Sequence, residues 1–251
     1  MDFLLSAKVA NHFEYLEQTG STNTDLVWAV TAAPENYPHL SVLVAAAQTA
    51  GRGRSGRAWV SPLGKSLAIS VLVKPDGWST AQFGWLPLVA GVAMRRAVQA
   101  ALREKHVGLK WPNDVQVEGK KISGILSELL PGASGVVIGA GINLTLERDE
   151  LPIPESTSLL LEGSEISADE FLEAYLIELS TLLENFHEAQ KAVRTECTTV
   201  GLTVRAIFPD ESELVGLATG IDDFGRLLIS VQGQDQLTAV SAADIQHLRH
   251  N

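Results

Sequence analysis

Residues 51–57 read Gly-Arg-Gly-Arg-Ser-Gly-Arg, and apolar runs from Leu40 to Ala47 and from Leu67 to Val73 flank them. No core takes in three arginines across seven positions, because a guanidinium keeps its charge and needs partners for its fork of donors. The chain must therefore form two buried strands with an exposed, basic loop between them. Glycine frees the backbone for close approach to a ligand, and arginine matches carboxylate or phosphate. The run reads as a mobile loop that closes over an anion. Between Glu35 and Asp76 there is no acid, although the chain holds 30, while Arg52, Arg54, Arg57, Lys65 and Lys74 all fall in that window.

Two familiar patterns overlap the loop, and context excludes both. Gly51, Gly53 and Gly56 match a dinucleotide fingerprint, and Asp76 lies 20 residues beyond the last glycine. That fingerprint needs a helix after its third glycine, whereas a Pro/Gly-punctuated, strand-like stretch follows here. A kinase glycine loop does lie between strands, and Asp223-Phe224-Gly225 is present. There is no His-Arg-Asp, however, and only 26 residues follow Gly225.

A net charge of −11 and a pI near 5.0 argue against a general surface for nucleic acid or anionic membrane, so the acid-free window is a local exception. Cys197 is the only cysteine, which rules out an internal disulfide and fits a cytosolic compartment. The N-terminal residues carry no signal-peptide pattern. The apolar stretch from Phe83 to Ala101 is broken by Gly84, Pro87, Gly91 and Arg95-Arg96, so it reads as a buried helix from about Gln82 to Lys105.

Other stretches carry chemistry. Ser21-Thr22-Asn23 precedes a helical pattern; Thr22 and Asp25 fit a capping box, and the same small polar groups suit a ligand head. Gln48 ends a buried strand at a sheet edge. Lys110-Trp111-Pro112-Asn113-Asp114 is turn chemistry that groups a cation with two oxygen ligands suited to phosphate and magnesium. A hairpin at Glu118-Gly119-Lys120 leads to Lys121, which either snorkels to water or meets an anion. Gly139 and Gly141 weaken a strand unless something approaches its backbone; they are either a packing pair or, with Asn143, part of a site. Ser167 to Glu170 opens a helix to about Gln190, whose acids Asp169, Glu170, Glu173, Glu178, Glu184 and Glu188 read as a solvated face. Short strands follow at Thr203 to Phe208, Glu213 to Thr219, Arg226 to Val231 and Gln236 to Val240.

Taken in order, Gly20-Ser21-Thr22-Asn23, the run from Gln48 to Trp59, Lys110 to Asp114, Gly119 to Leu126 and Gly139-x-Gly141-Ile142-Asn143 resemble biotin protein ligase, across about residues 13 to 250. The resemblance implies an α+β fold, a mixed β-sheet flanked by helices of the class II synthetase and biotin/lipoate ligase kind, over residues 1–197. It also implies a small C-terminal SH3-like β-barrel over 198–251. It implies ATP and biotin as substrates with Mg2+, and attachment of biotin to a lysine in the biotin carboxyl carrier domain of acetyl-CoA or related carboxylases. Ser21, Thr22, Asn23, Gln48, Gly51, Arg52, Gly53, Arg54, Lys121 and Gly124 are the implied biotin-binding residues. Arg52, Arg54, Trp59, Lys110, Asn113, Asp114, Lys121 and Asn143 are those for ATP, with Trp59 covering the adenine. Arg54 and Lys121 are the implied catalytic pair, and Asp114 and Asn143 the implied Mg2+ ligands. Fewer than 25 residues precede the first motif, too few for the DNA-binding domain of some family members; no DNA or membrane partner is expected, and the protein is expected to be a monomer or weak homodimer. A lipoate or octanoate transferase of the same fold should lack the Gly-Arg-Gly-Arg run and the tryptophan after it. A noncatalytic nucleotide or RNA binder should lose affinity steeply with salt.

Overall fold

The buried apolar runs meet side by side. In a computed structural model, which describes residues 2–59 and 62–248, seven strands form one sheet: β1 (His12–Leu16), β2 (Ser41–Ala45), β3 (Ser66–Val73), β4 (Val107–Lys110), β5 (Asp114–Val117), β6 (Lys120–Leu129) and β7 (Val136–Asn143). Their order is β1-β2-β3-β7-β6-β5-β4. Only β1 and β2 are parallel, so the sheet is mixed. β3 lies inside the sheet, between β2 and β7, and is buried at every residue, as a strand covered on both faces must be.

Each face has its own cover. Helix α3 (Leu86–Ala101) buries Val89, Ala93 and Met94 in the main core that also holds Val71, Ile138 and Ile142. Helix α2 (Thr22–Ala32) sets Leu26 and Val30 against Leu43, Leu72 and Val137 on the opposite face. The helix expected from Gln82 to Lys105 is shorter. Residues Thr80–Trp85 make a 3-10 turn, and Pro87 sits in the first turn of α3, where its missing N–H costs nothing.

The helix expected to run unbroken to Gln190 is two helices, α4 (Ala168–Leu183) and α5 (Phe186–Glu196). Asn185 divides them: its side chain accepts from His187 N and Glu188 N at 3.0 and 3.3 Å, capping α5. Nor are the acids of this region simply solvated. Asp169 accepts the N–H groups of Leu5 and Ser6, both at 2.9 Å, and so ties down the short helix α1 (Ser6–Val9). Glu178 pairs with Arg96 of α3 at 3.2 Å.

Beyond α5 come β8 (Thr203–Ile207), β9 (Glu213–Ile221), β10 (Leu227–Ser230), β11 (Thr238–Val240) and β12 (Asp244–His247), a second, antiparallel sheet in the order β11-β10-β9-β8-β12. The strand pattern of the sequence did not reveal β12. Two buried tryptophans of the larger sheet's surroundings anchor this unit. Trp85 Nε1 donates to Asp223 O at 2.9 Å, and Trp111 Nε1 to Gly225 O at 3.1 Å. The turn at 222–225 is thereby pinned. The connector completes the join: Thr198 N donates to Leu109 O at 2.9 Å, so residues 197–198 continue the sheet past β4.

Among the described residues, no helix is long and apolar enough to cross a membrane.

Candidate active site

The N-terminus of α2 forms one wall. Ser21 is its N-cap without a side-chain cap bond, and the expected box of Thr22 with Asp25 does not form. Gln48 supplies the cap instead, its Oε1 accepting from Thr22 N at 2.9 Å and Thr22 Oγ1 at 3.2 Å. Asp25 is drawn away to accept from Thr19 Oγ1. Asn23 spends its amide on the protein: Oδ1 accepts from Ser70 Oγ at 2.7 Å, while Nδ2 donates to Leu126 O at 3.1 Å and Glu128 Oε1 at 3.0 Å.

The basic loop folds back on itself. Arg52 and Ala58 form a bridge, and Trp59 N donates to Gly51 O at 2.9 Å. Its three arginines diverge to separate partners. Arg52 donates to Glu128 at 2.8 and 3.1 Å and to Thr24 Oγ1 at 3.0 Å. Arg54 Nη1 donates to Asn113 Oδ1 at 3.3 Å, and Arg57 Nη2 reaches Asp244 Oδ1 of β12 at 2.5 Å.

Two glycines explain how Trp59 is seated. Gly124 and Gly141 are cross-strand partners on β6 and β7. A Cβ at Gly141 would lie 2.1 Å from Trp59 Cε2, and one at Gly124 would lie 3.4 Å from Trp59 Cζ3. The indole therefore lies on a floor that a side chain at position 141 would close and that Gly124 borders at ordinary contact distance, with its Nε1 buried and without a hydrogen-bond partner. Gly141→Ala should push the ring outward; stronger acrylamide quenching of the fluorescence component absent from Trp59→Phe is the expected result.

Opposite the loop, Asn113 is fixed by Nδ2 donating to Ile125 O at 2.8 Å. Asp114 and Lys121 pair at 2.6 Å. Asn143 is buried, and its Nδ2 donates to Thr157 O at 2.9 Å, which leaves its carbonyl oxygen and one amide hydrogen for a ligand. These groups surround one cavity of about 450 Å3. Every residue singled out from the sequence lines it except Gly51, which lies behind the wall against Gln48. Sequence reasoning missed Ile153 and Ser156 in the loop after β7, and Asp244 and Gln246 on β12, all of which line the cavity. Arg57 also lines it; its place in the arginine run was signal enough.

The lining carries Arg52, Arg54, Arg57, Lys110 and Lys121 against two carboxylates, Asp114 and Asp244, an excess of three positive charges (5 − 2) in a chain of net charge −11. Burial holds the Arg54 guanidinium and the Lys110 ammonium below their ordinary pKa values, with nearby carboxylates opposing the shift. An anion entering the cavity relieves that cost. No cluster of three or more His, Cys, Asp or Glu side chains suited to a metal occurs among the described residues. Among the lining residues, Asp114, already paired with Lys121, and Asn143 carry oxygen donors of the kind a divalent cation takes.

A relay from β12 supports the 110–114 turn. Trp111 N donates to Thr199 Oγ1 at 2.9 Å, and that hydroxyl lies 3.1 Å from His247 Nε2. Burial first, and the charge of Lys110 second, push the ring's pKa from the ordinary 6.5 to about 4. The folded value lies below the unfolded one, so the stabilisation is complete above pH 6.5 and is lost as pH falls toward 4. Urea unfolding should show a drop in stability across that window, and His247→Gln should flatten it.

Residues 15–143 match the model of the biotin/lipoate A/B protein ligase family, and residues 199–248 that of the biotin protein ligase C terminal domain. The chain is 37% identical over 243 residues to a biotin–[acetyl-CoA-carboxylase] ligase of Mycobacterium tuberculosis, covering 94% of this chain and 89% of that protein. It is 30% identical over 246 residues to a ligase of the same name from Paracoccus denitrificans, covering 92% and 98% of the two chains. A solved structure described as biotin protein ligase from Aquifex aeolicus in complex with biotin and ATP superimposes with a TM-score of 0.78 at 26% identity, over 95% of this chain and 100% of the other.

Proposed function

Since this chain belongs to the biotin/lipoate A/B protein ligase family, we propose that it joins biotin to ATP as biotinyl-5'-AMP and passes the biotinyl group to one lysine of a carboxylase's biotin carboxyl carrier domain. The observation that carries this reading is the convergence of five cations, a polar helix N-terminus and a glycine floor on one cavity.

The chemistry must bring two anions together. Like unit charges about 4 Å apart repel by ~1 kcal/mol in water and by ~4 kcal/mol at an effective dielectric near 20. Arg54 and Lys121 hold the biotin carboxylate and the α-phosphate and cancel that repulsion where it arises. A carboxylate oxygen attacks the α-phosphorus, the bond to the β-phosphate bridge breaks, and pyrophosphate departs with the electron pair. Mg2+, which we assign to Asp114 and the Asn143 oxygen, supplies positive charge to phosphate oxygens when bound. In the second step the carrier lysine attacks as the free amine at the acyl carbon, loses its proton, and AMP leaves.

The remaining residues bind and shield. Ser21, Thr22, Gln48 and Gly124 border the biotin end, with Asn23 holding that wall in shape. Arg52 and Gly53 belong to the cover, and Trp59 faces the adenine. Lys110 and Asn113 hold the phosphate side. Closure of residues 51–59 keeps water from the mixed anhydride. We assign residues 1–197 to the catalytic domain and 198–251 to the barrel, and place the enzyme in the cytoplasm as a monomer or weak homodimer.

Incubation with biotin, Mg-ATP and a purified carrier domain tests the reading. The carrier should gain the mass of one biotinyl group, only when ATP is present. An unchanged carrier mass, with a control ligase modifying the same preparation, contradicts it.

A further inference from the structure

β6 and β7 are paired from Leu129↔Val136 to Ser123↔Ile142, and there they part. Beyond the last pair, Asn143 ends β7, and on β6 Lys121 lies one residue past Ile122. Residues 155–159 run into that gap. Lys121 N donates to Glu155 O and Thr157 N to Lys121 O, each at 2.8 Å. The same segment then crosses to β7, where Leu159 N donates to Asn143 O at 3.1 Å and Asn143 Nδ2 to Thr157 O at 2.9 Å.

Thr157 is the centre of this crossing and is 1% exposed. Its N–H binds one strand and its carbonyl the other. Its hydroxyl donates to Glu162 Oε1 at 2.7 Å, and Glu162 Oε2 pairs with Lys105 at 3.4 Å. Ser158 Oγ adds a second anchor to Leu146 O at 2.6 Å. Two strand ends that face an open cavity would otherwise leave their peptide groups to water and fray. Here a single segment saturates both and fixes how far apart they stand.

We propose that residues 155–162 are a positioning strap for adenylate formation, and that Thr157 sets the separation of Lys121 and Asn143. The proposal rests on the reading of Lys121 as the group that bridges the two anions. A misplacement of about 1 Å at such a group costs roughly a hundredfold in rate, so a modest loosening suffices to be measured.

The test pairs Thr157→Val, which keeps the shape and removes the hydroxyl, with Thr157→Ser, which keeps the hydroxyl. Two readouts are taken: adenylate formation, split into kcat and KM, and amide hydrogen exchange. For Thr157→Val, kcat should fall about tenfold, the scale of one hydrogen bond lost to a charged acceptor. KM for biotin should stay within about twofold, and exchange at Lys121 and Thr157 should quicken about tenfold while β3 stays protected. Thr157→Ser should return both readouts to within about twofold of the unsubstituted protein. Unchanged exchange at Lys121 overturns the strap, whether or not the chain makes adenylate. Faster exchange with unchanged kcat, or a loss of protection shared by β3, overturns its positioning role. An unsubstituted protein that forms no adenylate refutes the ligase reading instead, and the exchange data still judge the strap.

Discussion

Lys121→Ala lowers the rate of adenylate formation by ~100- to 1000-fold, the range found when one preorganised charge or donor is removed from a reacting centre. The loss has two sources. The cation that bridges carboxylate and phosphate is gone, and Asp114, 2.6 Å from the ammonium in the intact protein, is left uncompensated beside the arriving phosphate. Arg54→Gly acts in the same direction by opening the cover and removing the guanidinium held to Asn113. Rapid-quench measurement of biotinyl-AMP, with the carrier omitted, separates these effects from transfer. A rate within threefold of normal for Lys121→Ala would remove it from its assigned role.

The second large effect is on the fold that carries the site. Trp111→Ala destabilises the protein by about 3–5 kcal/mol, as emptying a buried tryptophan site does, because the indole is 2% exposed and its Nε1 is bonded to Gly225 O. Trp111→Phe should cost about 1–3 kcal/mol, most of it from the orphaned carbonyl. Urea unfolding distinguishes the two. The consequence reaches the chemistry, since Trp111 sits between Lys110 and the 112–114 turn and joins them to the second sheet through Thr199 and His247.

The arginine-glycine run, Gln48, the Lys110 to Asp114 turn and Lys121 were legible because each breaks a local rule. Arginines crowd where no core accepts them, an amide ends a buried strand, and a lysine enters an apolar one. Features that depend on distant partners were not legible. Thr22 and Asp25 satisfy a capping pattern locally, yet Gln48, 26 residues away, takes the cap. Asp169 looks like one more surface acid until the N-terminal residues fold onto it. β12 is only four residues long and lacks a run of strand-forming side chains, so its role in closing the cavity through Asp244 and Gln246 emerged only from pairing with β8. Trp59 shows the same limit: the sequence marks it as part of the site, while its seat on Gly141 comes from strands far along the chain.

In the reaction we propose, this cavity brings an acid tail and a nucleotide phosphate into contact by neutralising both. Mixing the protein with excess biotin and Mg-ATP, quenching in acid and separating the products measures that contact with no acceptor present. The expected result is close to one biotinyl-5'-AMP and one pyrophosphate per protein chain, formed in a burst and then held. Pyrophosphate release without biotinyl-5'-AMP, or no burst of either product, contradicts the account.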